Sequence, residues 1–189
     1  MSSIGPKTEN DGAFLAPPGI PLTERQSLCG DIDMVIDLNG GWHYNGSPIG
    51  RMELVKLFAS VLKRDDDGGH WLITPVEACR ISVVDTAFMG VELQVSGCRQ
   101  KQELSVRTNL DELIPIDEKR PLIVMTDAKS GAPRPIVRLQ NGLEARLTRP
   151  VFYELVELGV AGTGKQDHIY GVWSFGHFFA LGDMQEGND

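Results

Sequence analysis

The feature that most constrains the fold is an order of local patterns that occurs once in each half of the chain. In each half an Asn-Gly pair and a short apolar stretch precede an amphipathic segment, which is followed by a Gly-rich stretch and a Trp-containing stretch. The amphipathic segments, Glu53–Leu57 (ELVKL) and Glu154–Leu158 (ELVEL), agree at four of five positions. Asn-Gly pairs form tight hairpin turns because both residues tolerate positive φ. We therefore predict an internally duplicated fold.

Hydrophobic periodicity predicts one main helix in each half. In the first half, apolar residues recur at three- and four-residue spacing from Met52 to Leu62, and we expect the helix to end before Asp65–Gly69. The second begins near Arg149-Pro150, where proline suits the first turn, and ends at Gly159. Stretches rich in β-branched residues, separated by Gly, Asp and Asn, predict antiparallel strands. These are Met34–Leu38, Trp42–Tyr44, Trp71–Thr74, Arg80–Val84, Val91–Val95, Glu103–Thr108, Leu122–Thr126, Pro135–Leu139, Leu143–Leu147, His168–Ser174 and His177–Leu181.

The predicted fold class is α+β, with two small domains that each contain a mostly antiparallel sheet and one main helix. A chain of 189 residues is long enough for two such domains packed together. We divide it into a flexible tail over residues 1–22, an N-terminal domain over 23–112, a C-terminal domain over 113–183 and a second tail over 184–189. The first tail is rich in Ser, Gly and Pro, which resist helix formation and strand pairing.

Composition limits the classes of partner and compartment. The net charge of −8 argues against polymeric nucleic acid as a partner, because such binders need a broad basic face. No apolar stretch approaches the roughly 20 residues that cross a bilayer, and no signal-peptide pattern is present, so we expect no membrane association. Cys29, Cys79 and Cys98 are far apart and form no CxxC pattern. These features favour a cytoplasmic protein with reduced thiols, no metal site and no cofactor.

A Gly-rich stretch after the second helix, Gly159–Gln166, resembles a phosphate-binding loop at its first seven positions. Gln166 stands where the Mg²⁺-binding Ser or Thr belongs. A phosphate loop also follows a strand and opens a helix, whereas this stretch follows a helix and precedes a strand. The order indicates a helix-exit loop. Neither a serine elbow nor a zinc-ligand spacing is present, so no catalytic or metal-binding residue is assigned.

The strongest functional indication is a local excess of positive charge. Residues 129–149 carry a net charge of +4 within an acidic chain, from Lys129, Arg134, Arg138, Arg146 and Arg149 against Glu144. Arginines at alternate strand positions share a face, and guanidinium groups suit phosphate and carboxylate oxygens. The pattern predicts a site for a small anion, with Tyr153 or Trp173 as a stacking surface. The basic residues would also suit an ordinary exposed face that pairs with the acids at positions 31, 33 and 37. The two aromatic residues would also suit positions in a core.

Several segments together resemble the proteobacterial domain of unknown function family 1285 over residues 31–182. They are GRMELVKLFASVL (Gly50–Leu62), LITPVE (Leu72–Glu77), Arg107–Asn109, Gly142–Ala145, VFYELVEL (Val151–Leu158) and GVWSF (Gly171–Phe175). The resemblance implies two α+β domains with repeated motifs, of which the second is similar to a pleckstrin-homology fold. It also implies a pocket between the domains for a nucleotide-like ligand and a role in signal transduction. It implies no catalytic residue.

The basic segment and the family segments supply the candidate ligand-binding residues: Thr74, Glu77, Asn109, Arg134, Arg138, Glu144, Arg149, Tyr153, Trp173 and Ser174. Our leading hypothesis is a non-enzymatic module that binds a small anionic or nucleotide-like ligand where the domains meet. Two alternatives remain. One is a protein-interaction module that uses an exposed strand edge or apolar patch. The other is an enzyme in which Glu77 and Glu144 act as acid and base from opposite halves.

Overall fold

The structure is a computed structural model that describes residues 16–128, 130–163 and 167–183. Most of the two predicted tails, residues 1–15 and 184–189, lies outside these ranges. The described end of the first tail is packed on the protein. Ile20 is buried against Trp71 and Ala78, and the backbone N–H of Asp66 donates to the Pro18 carbonyl at 3.1 Å. Residues 17–20 therefore belong to the folded structure.

The first domain is a six-stranded sheet with one helix. Its elements are β1 (Ser27–Ile36), β2 (Trp42–Tyr44), β3 (Ser47–Pro48), α1 (Met52–Ser60), β4 (Leu62–Arg64), β5 (His70–Ile73) and β6 (Glu77–Val83). The strand order is β3-β2-β1-β6-β5-β4. Val55 and Phe58 of α1 pack against Met34, Leu72 and Ile81 of the sheet. The apolar stripe predicted for this helix therefore forms the domain core.

Within the described residues, the second domain contains a six-stranded sheet, one α-helix and a three-stranded sheet. Its elements are β7 (Phe88–Ser96), β8 (Glu103–Thr108), β9 (Leu113–Pro115), β10 (Leu122–Thr126), β11 (Pro133–Arg138), β12 (Glu144–Leu147), α2 (Arg149–Glu157), β13 (Val160–Ala161), β14 (Ile169–Ser174) and β15 (His177–Asp183). The sheet orders are β10-β11-β12-β7-β8-β9 and β13-β14-β15. Val151 and Leu155 of α2 pack with Val137, Val172 and Phe179 in one core. Neither α1 nor α2 is long and apolar enough to cross a membrane.

The predicted duplication is confirmed, as is the α+β class. Three antiparallel strands, a nine-residue helix and three more antiparallel strands occur as β1–β3, α1, β4–β6 and again as β10–β12, α2, β13–β15. The Asn-Gly turns lie at equivalent places before each helix. Asn45 and Gly46 have φ of 47° and 72°, and Asn141 and Gly142 have φ of 58° and 71°. These positive values are the reason for the Asn-Gly sequence at both turns.

Both large sheets are mostly antiparallel, as predicted. The exceptions are the pairings of β1 with β6 and of β12 with β7, which are parallel and which the sequence did not indicate. Strand β7 begins at Phe88, so β7, β8 and β9 belong to the second sheet. The sheets divide between Val83 and Phe88, earlier than the boundary predicted at residue 112. Alternation within a strand indicates which face is buried, but it does not indicate which strand is the partner. The segment 62–64 also forms β4 rather than a last turn of α1.

Candidate functional site

The basic segment lines a cleft where the two domains meet. Arg134 on β11, Arg146 on β12 and Arg149 at the start of α2 face a cavity of about 460 Å³. Leu38, which follows β1, lines the same cavity from the first domain. Tyr153 lies one helical turn after Arg149 and is 61% exposed. Three arginines from three different elements thus converge on one concave surface.

Asp85 bridges two of these arginines. It lies between β6 and β7, where the chain passes from the first sheet to the second. Its Oδ1 accepts a hydrogen bond from Arg134 Nη2 at 2.5 Å, and its Oδ2 accepts one from Arg146 Nε at 2.5 Å. Arg146 Nη2 also donates to the Leu38 carbonyl at 3.1 Å. The guanidinium group of Arg146 is therefore held in place by contacts from the first domain.

The described ionisable side chains of the cleft carry a net charge of +1, from three arginines against Asp85 and Asp127. Asp127 accepts hydrogen bonds from the backbone N–H and the hydroxyl of Ser130, both at 2.7 Å. The N-cap residue of α2, Thr148, makes no side-chain hydrogen bond to the first turn. The helix N-terminus therefore adds partial positive charge to the cleft. Lys129, which belongs to the predicted basic segment, lies outside the described residues.

Asp31 and Asp37, two of the acids considered as partners of the basic segment, pair with other residues in the described part of the chain. Asp31 lies 3.9 Å from Arg80, and Asp37 is paired with His43 at 2.8 Å. Backbone N–H donation from Gly41, together with the bond to His43, holds the pKa of Asp37 below its usual range. The acid that pairs with the arginines is Asp85, which sequence reasoning did not select. A single Asp in a linker carries no local signal of a partner 49 residues away.

Three other predicted residues lie outside the lining of the cleft. Arg138 is exposed on β11, and its cross-strand neighbour Glu144 forms an ion pair with Arg64 of β4 at 3.4 Å. Asn109 accepts a hydrogen bond from the Met89 N–H at 3.0 Å and donates to the Gly40 carbonyl at 3.0 Å. Its amide therefore holds the β1–β2 turn against the second sheet.

Ser174 connects the small sheet to the large sheet of the second domain, and the ring of Trp173 packs within the small sheet. The Ser174 hydroxyl is fully buried, donates to the Ile116 carbonyl at 2.6 Å and accepts from the Leu104 N–H at 3.0 Å. The ring of Trp173 is half-buried and packs on Phe178, with ring centroids 5.4 Å apart. Both residues lie on β14, and their partners belong to the same domain.

Thr74 and Glu77 lie near a second cavity, of about 420 Å³, between α1 and the first sheet. Its lining is mostly apolar and includes Met34, Phe58 and Leu72. The Thr74 hydroxyl accepts a hydrogen bond from the Glu77 N–H at 2.9 Å, which shapes the β5–β6 turn. The two carboxylates considered as an acid–base pair, at positions 77 and 144, thus contact different groups in different parts of the fold.

Two cysteines that are far apart in sequence meet beside Glu77. The β1–β6 register passes from Leu28↔Ala78 to Gly30↔Cys79, so Cys29 is an extra residue in β1. The Sγ atoms of Cys29 and Cys79 and a carboxylate oxygen of Glu77 lie within 4.8 Å of one another. Burial, followed by the contact with Cys29, raises the pKa of the Cys79 thiol to about 12. Sequence reasoning predicted no metal site, because only the strand pairing brings these three groups together.

Two family models match successive parts of the chain. The N-terminal domain of DUF1285, a domain of unknown function, matches residues 24–86, and the C-terminal domain of the same family, a protein of unknown function, matches residues 87–181. The point where the first family match ends and the second begins coincides with the passage of the chain from one sheet to the other, between β6 and β7.

Solved structures show the same relationship. The crystal structure of a DUF1285 family protein from Silicibacter pomeroyi DSS-3 is 36% identical, with a TM-score of 0.78 over 92% of this chain and 93% of that chain. A DUF1285 family protein from Shewanella baltica OS155 is 25% identical, with a TM-score of 0.53 over 72% of this chain and 96% of that chain. No curated protein matches the chain. The chain therefore belongs to the DUF1285 family.

Proposed function

We propose that this protein is a binding module for a small anionic ligand, and that the cleft between β11, β12 and the start of α2 holds it. The observation that carries the proposal is the convergence of Arg134, Arg146 and Arg149 on one cavity. Asp85 neutralises the charge of only one of the two arginines it bridges. The excess positive charge within a chain of net charge −8 favours a partner with phosphate or carboxylate groups.

Arg149 is the residue we expect to make the main contact with the ligand. It is exposed at the first turn of α2, and no carboxylate within the described ranges forms an ion pair with it. An anion beside Arg149 would also be close to the N-terminus of α2, where negative charge is favoured. Asp85 holds the guanidinium groups of Arg134 and Arg146, so these positive charges are already oriented before the ligand binds.

The size and lining of the cleft support a ligand as large as a nucleotide. Its volume of about 460 Å³ falls within the range of small-molecule sites, roughly 300–1,000 Å³. Tyr153 exposes its ring beside the arginines and would stack on a planar base. Trp173 has no part in this proposal because its ring packs on Phe178 in the small sheet. A role in signal transduction, which the family resemblance implies, would follow if ligand binding altered the contact between the domains.

The test is thermal unfolding of the full chain with inorganic phosphate, pyrophosphate and AMP, each compared with sodium chloride at equal ionic strength. A ligand at 100 times its dissociation constant should add about 2.7 kcal/mol to the free energy of unfolding. Arg149→Met should weaken binding by about 10- to 100-fold, since a charge-assisted hydrogen bond contributes about 1.5–3 kcal/mol.

Arg138→Met is the matched control, because it removes the same charge from an exposed arginine outside the lining of the cleft. It should leave the stabilisation by anions close to that of the wild type. The proposal fails if no anion stabilises the protein more than chloride does. It also fails if Arg138→Met weakens binding as much as Arg149→Met, because the effect would then be one of general charge.

A further inference from the structure

We infer that Cys29, Cys79 and Glu77 form a binding site for a soft divalent cation of the Zn²⁺ class, at the edge of the cavity under α1. Three potential ligand atoms, two sulfurs and one carboxylate oxygen, lie within 4.8 Å of one another. Thiolates and carboxylates are both established zinc ligands in proteins. The site lies in the first domain and is independent of the arginine-lined cleft, which is formed mainly by the second.

The local structure explains why the three side chains converge. Glu77 and Cys79 are two residues apart on β6, so alternation along the strand places them on the same face of the sheet. Cys29 is the extra residue of the neighbouring strand β1, where the register shifts. A bulge of this kind re-aims a side chain, and such bulges are common beside functional sites. Here it brings the Cys29 sulfur to the other two ligand atoms.

The spacing suits a tetrahedral cation with little rearrangement. Zinc–sulfur and zinc–oxygen distances of about 2.3 and 2.0–2.2 Å place neighbouring ligand atoms about 3.3–3.8 Å apart in a tetrahedron. The three atoms lie no more than 4.8 Å apart, and both Cys29 and Glu77 are exposed enough to adjust their side-chain torsions. Side-chain rotation can therefore close the site without movement of the strands.

Chemistry selects the class of cation. Mg²⁺ and Ca²⁺ take oxygen ligands, whereas two sulfurs favour zinc and other soft or borderline metals. Three protein ligands leave a fourth tetrahedral position, the arrangement of zinc sites that bind water or a substrate. Glu77 and Cys79 also line the apolar cavity of about 420 Å³ beneath α1. The site therefore borders this cavity.

The experiment is titration of the untagged full chain with Co²⁺ under a non-thiol reductant. Cobalt bound by thiolates shows charge-transfer absorption in the near ultraviolet, and its visible bands report tetrahedral geometry. We expect one equivalent of Co²⁺ to bind with both signals, and Zn²⁺ to displace it. Cys29→Ser should lower the charge-transfer intensity for each bound Co²⁺ and weaken binding by more than the roughly 10- to 100-fold typical for loss of an outer-shell partner. Glu77→Gln should weaken binding while retaining the charge-transfer absorption.

Cys98→Ser is the matched control, because Cys98 is an exposed thiol outside this cluster. It should bind Co²⁺ with the signals of the wild type. Cys29 is exposed, so its replacement should preserve the fold, which circular dichroism would verify. Absence of the charge-transfer signal in the reduced wild type would overturn the inference. Persistence of the signal in the Cys29→Ser/Cys79→Ser double variant would also overturn it.

Discussion

Replacement of Asp85 by asparagine separates the two roles that the structure gives to one carboxylate. Asp85 joins Arg134 and Arg146 at the point where the chain crosses between the two sheets, and its charge also offsets the positive charge of the cleft. The asparagine side chain would keep the shape of the carboxylate and could accept one of the two hydrogen bonds. Its NH₂ group would then face the other guanidinium group, which is also a donor. We expect a less stable protein that binds anions more tightly.

The magnitudes follow from the geometry. Hydrogen bonds to charged groups contribute about 1.5–3 kcal/mol each, but these three side chains remain 17–25% exposed and are partly screened by solvent. We expect the Asp85→Asn variant to lose about 2–4 kcal/mol of unfolding free energy. The net charge of the described cleft would rise from +1 to +2. A bound anion should gain about 1–2 kcal/mol, or about 5- to 30-fold in affinity.

The assay is urea unfolding with and without inorganic phosphate at constant ionic strength, with Asp31→Asn as the control. Asp31 is 72% exposed and has only a distant contact with Arg80, so its loss should change neither stability nor phosphate binding appreciably. The reasoning is refuted if the Asp85→Asn variant unfolds at the same urea concentration as the wild type. Equal stabilisation of both proteins by phosphate would refute the electrostatic part.

Three further predictions concern stability. Ser174→Ala should lower the free energy of unfolding in urea by about 2–4 kcal/mol, because two buried backbone groups, on Ile116 and Leu104, lose their partner. The control Ser60→Ala, at an exposed helix end, should have a much smaller effect. Gly40→Ala should lower the free energy of unfolding by at least about 1 kcal/mol, because Gly40 has φ of +76° and an added Cβ would lie 2.6 Å from Asn109 Nδ2. The control Gly46→Ala has a similar φ but open space around the added Cβ, so it measures the contribution of the backbone conformation alone. Burial and the nearby Arg64 lower the pKa of His70 from its usual 6.5 to about 4, so below pH 6.5 the unfolded chain binds a proton that the folded protein does not. Stability should therefore fall by about 1–2 kcal/mol, after allowance for solvent screening, as the pH drops from 6.5 to 4; the His70→Gln variant should show a smaller loss over this range, and an identical pH profile would contradict the assignment.

Sequence reasoning was most successful where structure depends on neighbouring residues. The Asn-Gly turns, both helices and most strands follow from backbone preferences and side-chain periodicity over a few positions. It was least successful for pairings between distant strands. The parallel pairing of β1 with β6 and of β12 with β7, and the division of the sheets after β6, depend on which apolar faces pack together.

The same distinction applies to the candidate sites. An excess of arginine around β11 and β12 is evident in the sequence, and Arg134, Arg149 and Tyr153 do line one cavity. The excess of arginine in this segment did not reveal that Arg138 lies outside that lining. It also did not reveal that Asp85 bridges two of the arginines.

The sequence by itself determined the repeated local units and the charge of the segment that lines the cleft, because turn propensity, periodicity and net charge are properties of short stretches of chain. Only the tertiary structure decided which side chains meet. Cys29 reaches Cys79 through a register shift between parallel strands, and Asp85 reaches the arginines through the packing of two sheets. Such contacts depend on the free energy of the whole packed core, which no short segment encodes.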